Sequence, residues 1–438
     1  MMLTRRVLLS SLVPAFGILA VPAQDDETPE KRSPLFPRLF PEPTGTNGFE
    51  EILRAGERIA DAERNRTIIR APYPSPRQNT NTLSVKRAYL ADPASRAALS
   101  LLRQGLRKPI QIAPIVASPA YYEMSLPMLP LSRLLGFRVH VGFADGDGAA
   151  VVSEVLGFLR FADGFKPVSV VSGSIGGSLE RNVLTPLIRV HDGWSARDCD
   201  RLLAFAETRA NAPDPALAAL TAERESARAA WERSMAKPEE LEELFESADT
   251  ENTGDEETER VTKAEMFAER LRADSGVRAR VWGEMADAIK VHYDRVTALL
   301  ADPTKRIFLD TPAEEKSRFH EITLLLRGSM VIDAHLAVRQ AVENRLNNQL
   351  LATHAAIRRH RWENDRLPKT LDELKLGANI VTDPFTAKPL LYEPDPTGSN
   401  YKLASAGALL PGTDGKPDAR ERFALPREYP KSLKSPVK

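Results

Sequence analysis

The sequence predicts a mainly α protein: antiparallel helical pairs, then a long helix that leads into a small α+β segment at the C-terminal end. Three observations carry that expectation. Apolar residues recur at spacings of three and four through most of the chain. Breaks such as Asp145-Gly146-Asp147-Gly148 separate the periodic runs. After residue 365 the character changes, with prolines and glycines punctuating short segments. A chain of 438 residues also exceeds one ordinary hydrophobic core, so two or three packed units are expected.

Taken in order, the chain opens with Arg5 and Arg6 before an apolar run from Val7 to Val21, and Val21-Pro22-Ala23 puts small residues where a signal peptidase cuts. Residues 1–23 therefore read as a cleaved signal peptide and the chain as exported, periplasmic or secreted. The run is shorter than the roughly 20 residues of a spanning helix and holds Pro14 and Gly17, so no integral span is expected once it is removed. Thr4-Arg5-Arg6-Val7-Leu8-Leu9 resembles a loose twin-arginine signal, which leaves both export routes open. Residues 24–48, rich in proline and charge, read as a linker.

A helical domain is expected over 49–235. Ile52, Leu53, Ala55, Ile59 and Ala60 share one side of a first helix, and residues 71–82, with three prolines, read as a loop. Met128, Leu131, Leu134, Leu135 and Val139 form one apolar face, and Val151, Val152, Val155 and Leu159 form another, so the Gly146 break makes a helical hairpin. Ser195 and Asp198 make a capping box that turns Cys199, Leu202 and Leu203 inward, and Pro213 to Met235 is Ala-, Arg- and Glu-rich like a helix. A second helical block covers 276–364. Within it Phe319, Ile322, Leu326 and Met330, then Leu346, Leu350, His354 and Ile357, predict one very long helix or two nearly collinear ones. In 365–438, Leu390-Leu391-Tyr392 and Tyr401-Lys402-Leu403 suit a small antiparallel pair.

Composition excludes some classes. Lys+Arg and Asp+Glu both number 60, so no global field favours nucleic acid. The single cysteine, Cys199, rules out an internal disulfide and reads as a small core residue. None of the seven histidines completes a metal motif: His320-Glu321 lacks a second His four residues on. His354 falls on the apolar stripe, as a satisfied core histidine does, while His191-Asp192 and Asp333-x-His335 suit hydrogen-bonded pairs. No serine sits in a nucleophile elbow.

Two segments carry chemical possibilities. Val168 to Leu179, with Gly173, Gly176 and Gly177, has the outline of a strand, a glycine loop and a helix start, the shape of a nucleotide or phosphate cradle. It lacks the P-loop Lys, and the competing reading is a helix whose Ser and Gly residues permit close packing. Residues 236–275 form an acidic insertion that reads as EF-hand-like. Asp249, Glu251 and Thr253 alternate as oxygen ligands before Gly254, Glu265 supplies the closing carboxylate, and Phe245 and Phe267 flank the loop. Asp255 to Glu259 intrude between Gly254 and Glu265, and ordering that bulge opposes capture of the ion. Weak or absent calcium binding is expected, with no other cofactor.

A resemblance enters at the C-terminal end. Ile357 to Leu374 with its Leu367-Pro368 turn, Asp383-Pro384-Phe385, and Tyr401 to Gly407 stand in the order of the globular end of type II secretion pseudopilins. The likeness implies a long helix, a proline turn, a short helix, an Asp-Pro-aromatic turn and a small sheet. Pseudopilins carry a prepilin cleavage signal directly before their long helix, whereas here more than three hundred residues precede it, so an assembling pilin is not expected. Their calcium-binding tail is not carried over to Asp414 or Asp418. The whole layout resembles exported planctomycete-type bacterial proteins that place helical pairs before such an end. The expected function is a non-enzymatic scaffold or interaction protein with a protein partner in the cell envelope. A secretion or pilus accessory, and an enzyme using the Gly173–Gly177 loop, stand as alternatives.

Overall fold

Helix α1, Phe49–Arg64, follows directly from its apolar spacing: Phe49, Ile52, Leu53, Ala55, Ile59 and Ala62 are buried. Ala60, expected on that side, is half-buried. This is a computed structural model of the chain, and it describes residues 46–65, 83–112, 119–236, 269, 271, 273–301, 334–398 and 400–407. The expected signal peptide, nearly all of the linker, the loop at 71–82, the Phe319 to Met330 recurrence and the proposed calcium ligands Asp249, Glu251, Thr253 and Glu265 lie outside the described residues.

Helices α2 (Leu83–Ala91) and α3 (Pro93–Leu106) are separated by Asp92, whose carboxylate accepts from the Ala94 amide at 2.8 Å with Pro93 in the first turn. The expected hairpin is α4, Pro119–Ala144, and α5, Gly148–Phe165. Gly146 adopts φ +82° in the turn, a left-handed conformation that an L side chain resists, and the Asp147 amide donates back to the Gly142 carbonyl at 2.7 Å. Phe161 and Phe165 on α5 meet Phe49 of α1, Phe158 packs against Phe161, and Phe161 and Phe165 stand edge to face at 5.1 Å. Burial of each such ring contributes about 1.5–3 kcal/mol, so this cluster anchors the first helices on one another.

Helix α6 is Val170–Arg189, followed by a 3₁₀ turn at His191–Gly193. The Ser195–Asp198 capping box is present and opens α7, Ala196–Asn211, with Cys199 and Leu202 buried and Leu203 half-buried. Helices α8 (Pro215–Ala236) and α9 (Ser275–Ala301) pack on one another from either side of residues 237–268. Helix α10 is Ala334–Asn364, and it lies against α7 and α6. A 3₁₀ turn at Leu371–Leu374 and the short helix α11, Ala378–Val381, lead to strands β1 (Leu391–Pro394) and β2 (Tyr401–Ala404). These strands are antiparallel, with Leu391 opposite Ala404 and Pro394 opposite Tyr401.

The protein is thus mainly α: eleven α-helices and one two-stranded sheet among the described residues. Buried residues from α1 through β2 belong to one contiguous core. Among the described residues, no helix is long and apolar enough to cross a membrane.

Candidate functional site

A cleft of about 710 Å³ opens where α5 ends, α6 and α8 begin, and α10 passes the Asn379–Ala387 segment. That volume lies within the roughly 300–1,000 Å³ of small-ligand sites. Its position follows from local chain chemistry. Ser169 caps α6 by accepting from the Ser172 amide at 3.1 Å. Asp214 opens α8 by accepting from the Ala216 amide at 3.0 Å, next to Pro213 and Pro215, which cannot continue α7. Glu223 reaches from the middle of α8 to accept from the Val170 amide at 3.0 Å, tying α8 to the start of α6, and its burial raises its carboxyl above the usual range.

A charged knot stands behind one wall. Glu180 is fully buried and accepts from Lys166 Nζ and from Arg209 Nη2, the latter at 2.5 Å. Asp163 accepts from the same two cations, from Lys166 at 2.9 Å and Arg209 at 2.5 Å. Burial alone would raise the Glu180 carboxyl, but the charges of Arg209 and Lys166 outweigh it and hold that group down at about 2. Glu180 therefore stays ionised and carries no proton to exchange near neutrality. At the rim Arg345 pairs with Asp214 at 2.5 Å. The positive groups of the cleft are each already matched by a carboxylate.

The opposite wall is neutral and polar. Gln340, Asn344 and Asn348 follow at intervals of four along α10, beside Ala341, Arg345 and Gln349. Gln340 donates to Ser174 Oγ at 2.5 Å, and Asn348 donates to the Ala206 carbonyl at 2.8 Å. Gln349 is 3% exposed; its amide nitrogen donates to the carbonyls of Asn379 and Thr382 at 2.7 and 2.9 Å, while its carbonyl oxygen has no partner. Ala212, Ala216, Ala218, Ala219 and Leu220 supply a low apolar side.

The glycines of the proposed phosphate cradle lie inside α6, so this segment is not a loop. Their role is close packing. A Cβ on Gly176 would come within 2.8 Å of the Ala162 carbonyl oxygen, and one on Gly177 within 2.5 Å of Asn344 Oδ1. Only Gly173 borders the cleft, and a Cβ there would meet nothing nearer than the Lys166 carbonyl at 3.5 Å.

A second cluster docks the C-terminal segment. His191, His354 and Tyr401 bury their rings 5.5–6.0 Å apart, with Trp194 6.1 Å from His191. His354 Nδ1 and Tyr401 Oη are 2.5 Å apart, which makes His354 the satisfied core residue its place on the stripe implied. His191 Nδ1 lies 2.9 Å from the Ile188 carbonyl, so the proton sits on that nitrogen, and Nε2 is buried without a hydrogen bond. The expected His191–Asp192 hydrogen bond is not formed: the separation is 3.8 Å. Burial lowers His191 to about 4 and pushes the neighbouring Cys199 thiol up to about 12, which leaves that thiol unreactive. Asp383, fully buried, accepts from Ser405 Oγ and from the Phe385 and Ala406 amides at 2.8–3.0 Å, which locks the Asp-Pro-Phe turn to the end of β2.

The expected calcium ligands lie outside the described residues; among the described residues no group of three or more His, Cys, Asp or Glu side chains is placed to hold a metal ion. Sequence pattern pointed to Gly173, Asp383 and Pro384 among the cleft residues but not to Gln340, Asn344 and Asn348, whose interval of four was a readable signal. Compared with known proteins, the chain matches no family model, no curated protein and no solved structure.

Proposed function

We propose that the chain is an exported, non-enzymatic interaction protein of the cell envelope whose contact site is the cleft between α5–α8 and α10. The observation that carries this reading is the internal pairing of the cleft's charges. Lys166, Arg209 and Arg345 are already engaged by Asp163, Glu180 and Asp214. A phosphate or nucleotide entering here would have to displace a carboxylate, which disfavours the enzyme alternative built on Gly173–Gly177. A neutral polar surface beside small apolar side chains suits binding. In-cell photo-cross-linking tests it, with the cross-linker at exposed Ala218 on the cleft and a control at exposed Arg197. A discrete envelope adduct from Ala218 alone is expected; equal adducts from both positions, or none, would overturn the assignment. Fractionation that leaves the chain in the cytoplasm would overturn the export part.

A second reading, a secretion or pilus accessory, draws on the C-terminal order of elements. A long helix, a Leu367-Pro368 turn, a 3₁₀ turn, the Asp383-Pro384-Phe385 turn and two antiparallel strands follow one another as in the pseudopilin end. Glu393 and Lys402 face each other across the strands at 3.4 Å, both exposed. Capture of this chain by a pseudopilin, lost on Glu393→Lys, would favour this reading over the cleft.

A further inference from the structure

We infer that the cleft takes an extended, uncharged peptide segment with small side chains, read by the amide ladder of α10. The inference rests on the interaction reading above and names its ligand class.

The first argument is spacing. Residues four apart on a helix advance about 6 Å along its axis. Alternate residues of an extended chain advance about 6.7 Å. Gln340, Asn344 and Asn348 therefore keep near register with alternate peptide units over three steps. Asn344 offers both a donor and an acceptor, the same pair that a peptide unit offers, while Gln340 and Asn348 already donate to Ser174 Oγ and to the Ala206 carbonyl, and Asn348 Oδ1 accepts from Arg209 at 3.4 Å, so these two present only their remaining acceptor capacity.

The second is what lacks a partner. Asn344 is half-buried on the cleft wall and makes no side-chain hydrogen bond among the described residues. The Gln349 carbonyl oxygen, nine-tenths buried at the same wall, lacks a donor among the described residues. Turning that amide over would set its oxygen against the Asn379 and Thr382 carbonyls, so the orphaned acceptor is a fixed feature of the site. A buried carbonyl without a donor is unfavourable, and a ligand N–H removes that deficit.

The third is exclusion by chemistry. Asp163, Asp214 and Asp383 border the cleft, which disfavours anions, and the nearby cations are already paired. Among the described residues, no aromatic side chain lines it to stack on a sugar face. The alanines at 212, 216, 218 and 219 leave shallow room for small side chains on the far side of the ligand.

The test uses the full exported chain and a pool of N-acetylated, C-amidated hexapeptides of Ala, Ser, Gly and Val, followed by isothermal calorimetry, with maltohexaose and inorganic phosphate in parallel. Saturable peptide binding at sub-millimolar concentration is expected, at least tenfold weaker in Asn344→Leu and in Ala218→Trp. Ala218 is exposed, so its replacement fills the cleft without entering the core. Arg197→Ala should bind as the parent does. No peptide binding up to several millimolar, or binding that ignores both cleft variants, would overturn the inference. So would cleft-dependent binding of maltohexaose or phosphate in place of peptide. If peptides fail while Ala218 still cross-links to an envelope component, the ligand class is wrong and the interaction reading stands; if both fail, both fall.

Discussion

Replacing Glu180 with Gln is expected to destabilise the protein by about 3 kcal/mol, for reasons that can be followed atom by atom. The carboxylate is fully buried and takes hydrogen bonds from Lys166 Nζ and Arg209 Nη2, with Arg209 Nη1 at 3.4 Å. An amide of the same shape keeps one acceptor oxygen but turns an NH₂ toward two cations. Breaking a buried ion pair by removing one partner costs about 3–5 kcal/mol, because a charge is left behind without compensation. The low end applies here, since Asp163 still contacts both cations and its side chain is 32% exposed. Thermal unfolding should move down by roughly 2 °C or a little less per kcal/mol at this chain length, hence by roughly 5 °C. The double variant Lys166→Met with Glu180→Gln removes a charge of each sign, so its loss should fall short of the sum of the single losses by about 1–3 kcal/mol. A loss below about 1 kcal/mol for Glu180→Gln, or strict additivity in the double variant, would refute the account of a dry, mutually compensating knot.

Other outcomes follow from the same geometry. His191 titrates near its ordinary 6.5 when unfolded and at about 4 when folded, so the unfolded chain binds the extra proton between those values. The His191 contribution is therefore full above pH 6.5 and falls by about 3 kcal/mol as pH drops toward 4; His140, lowered by burial to about 3, adds a loss of the same sign, so His191→Asn, scanned calorimetrically, should make the acid limb shallower without abolishing it, and an unchanged limb would show that His191 does not contribute. Gly173→Ala should stabilise by about 0.5–1 kcal/mol through helix propensity. Gly176→Ala, pressed against the Ala162 carbonyl, should destabilise by about 1–3 kcal/mol; equal effects in chemical denaturation would contradict the packing role of Gly176. Calcium titration is expected to give a Kd no tighter than about 10⁻³ M, and tighter binding lost on Glu265→Gln would reverse the proposal that the acidic insertion is a weak site.

What the sequence disclosed, and what it withheld, has a physical pattern. Local signals were sound: the Ser195–Asp198 box, the Gly146 turn and the antiparallel pairing of the segments around Leu391 and Leu403 depend on neighbours in the chain or on short-range pattern. The inward face of α1 was legible as well, except that Ala62 takes the place of Ala60. The Val168 to Leu179 segment showed the limit of local chemistry. Its Val, Ser and Gly content is poor for a helix, yet Gly176 and Gly177 let α6 approach α5 and α10 so closely that packing decides the conformation. The cleft was hidden for a related reason. Asp163, Glu180 and Arg209 come from three separate helices, and Gln340 to Gln349 from a fourth, so only tertiary contact brings them together. Among single residues, Glu180 in an amphipathic run reads as a solvated charge until its two cationic partners are seen.

Hydrogen exchange of the full chain, with and without the capped hexapeptide pool, tests the central claim most directly. The account predicts slowed exchange confined to the first turns of α8, at 216–220, and to α10 at 340–349, and no such change in Ala218→Trp. Slowed exchange elsewhere, with these two segments untouched while peptide is bound, would contradict it.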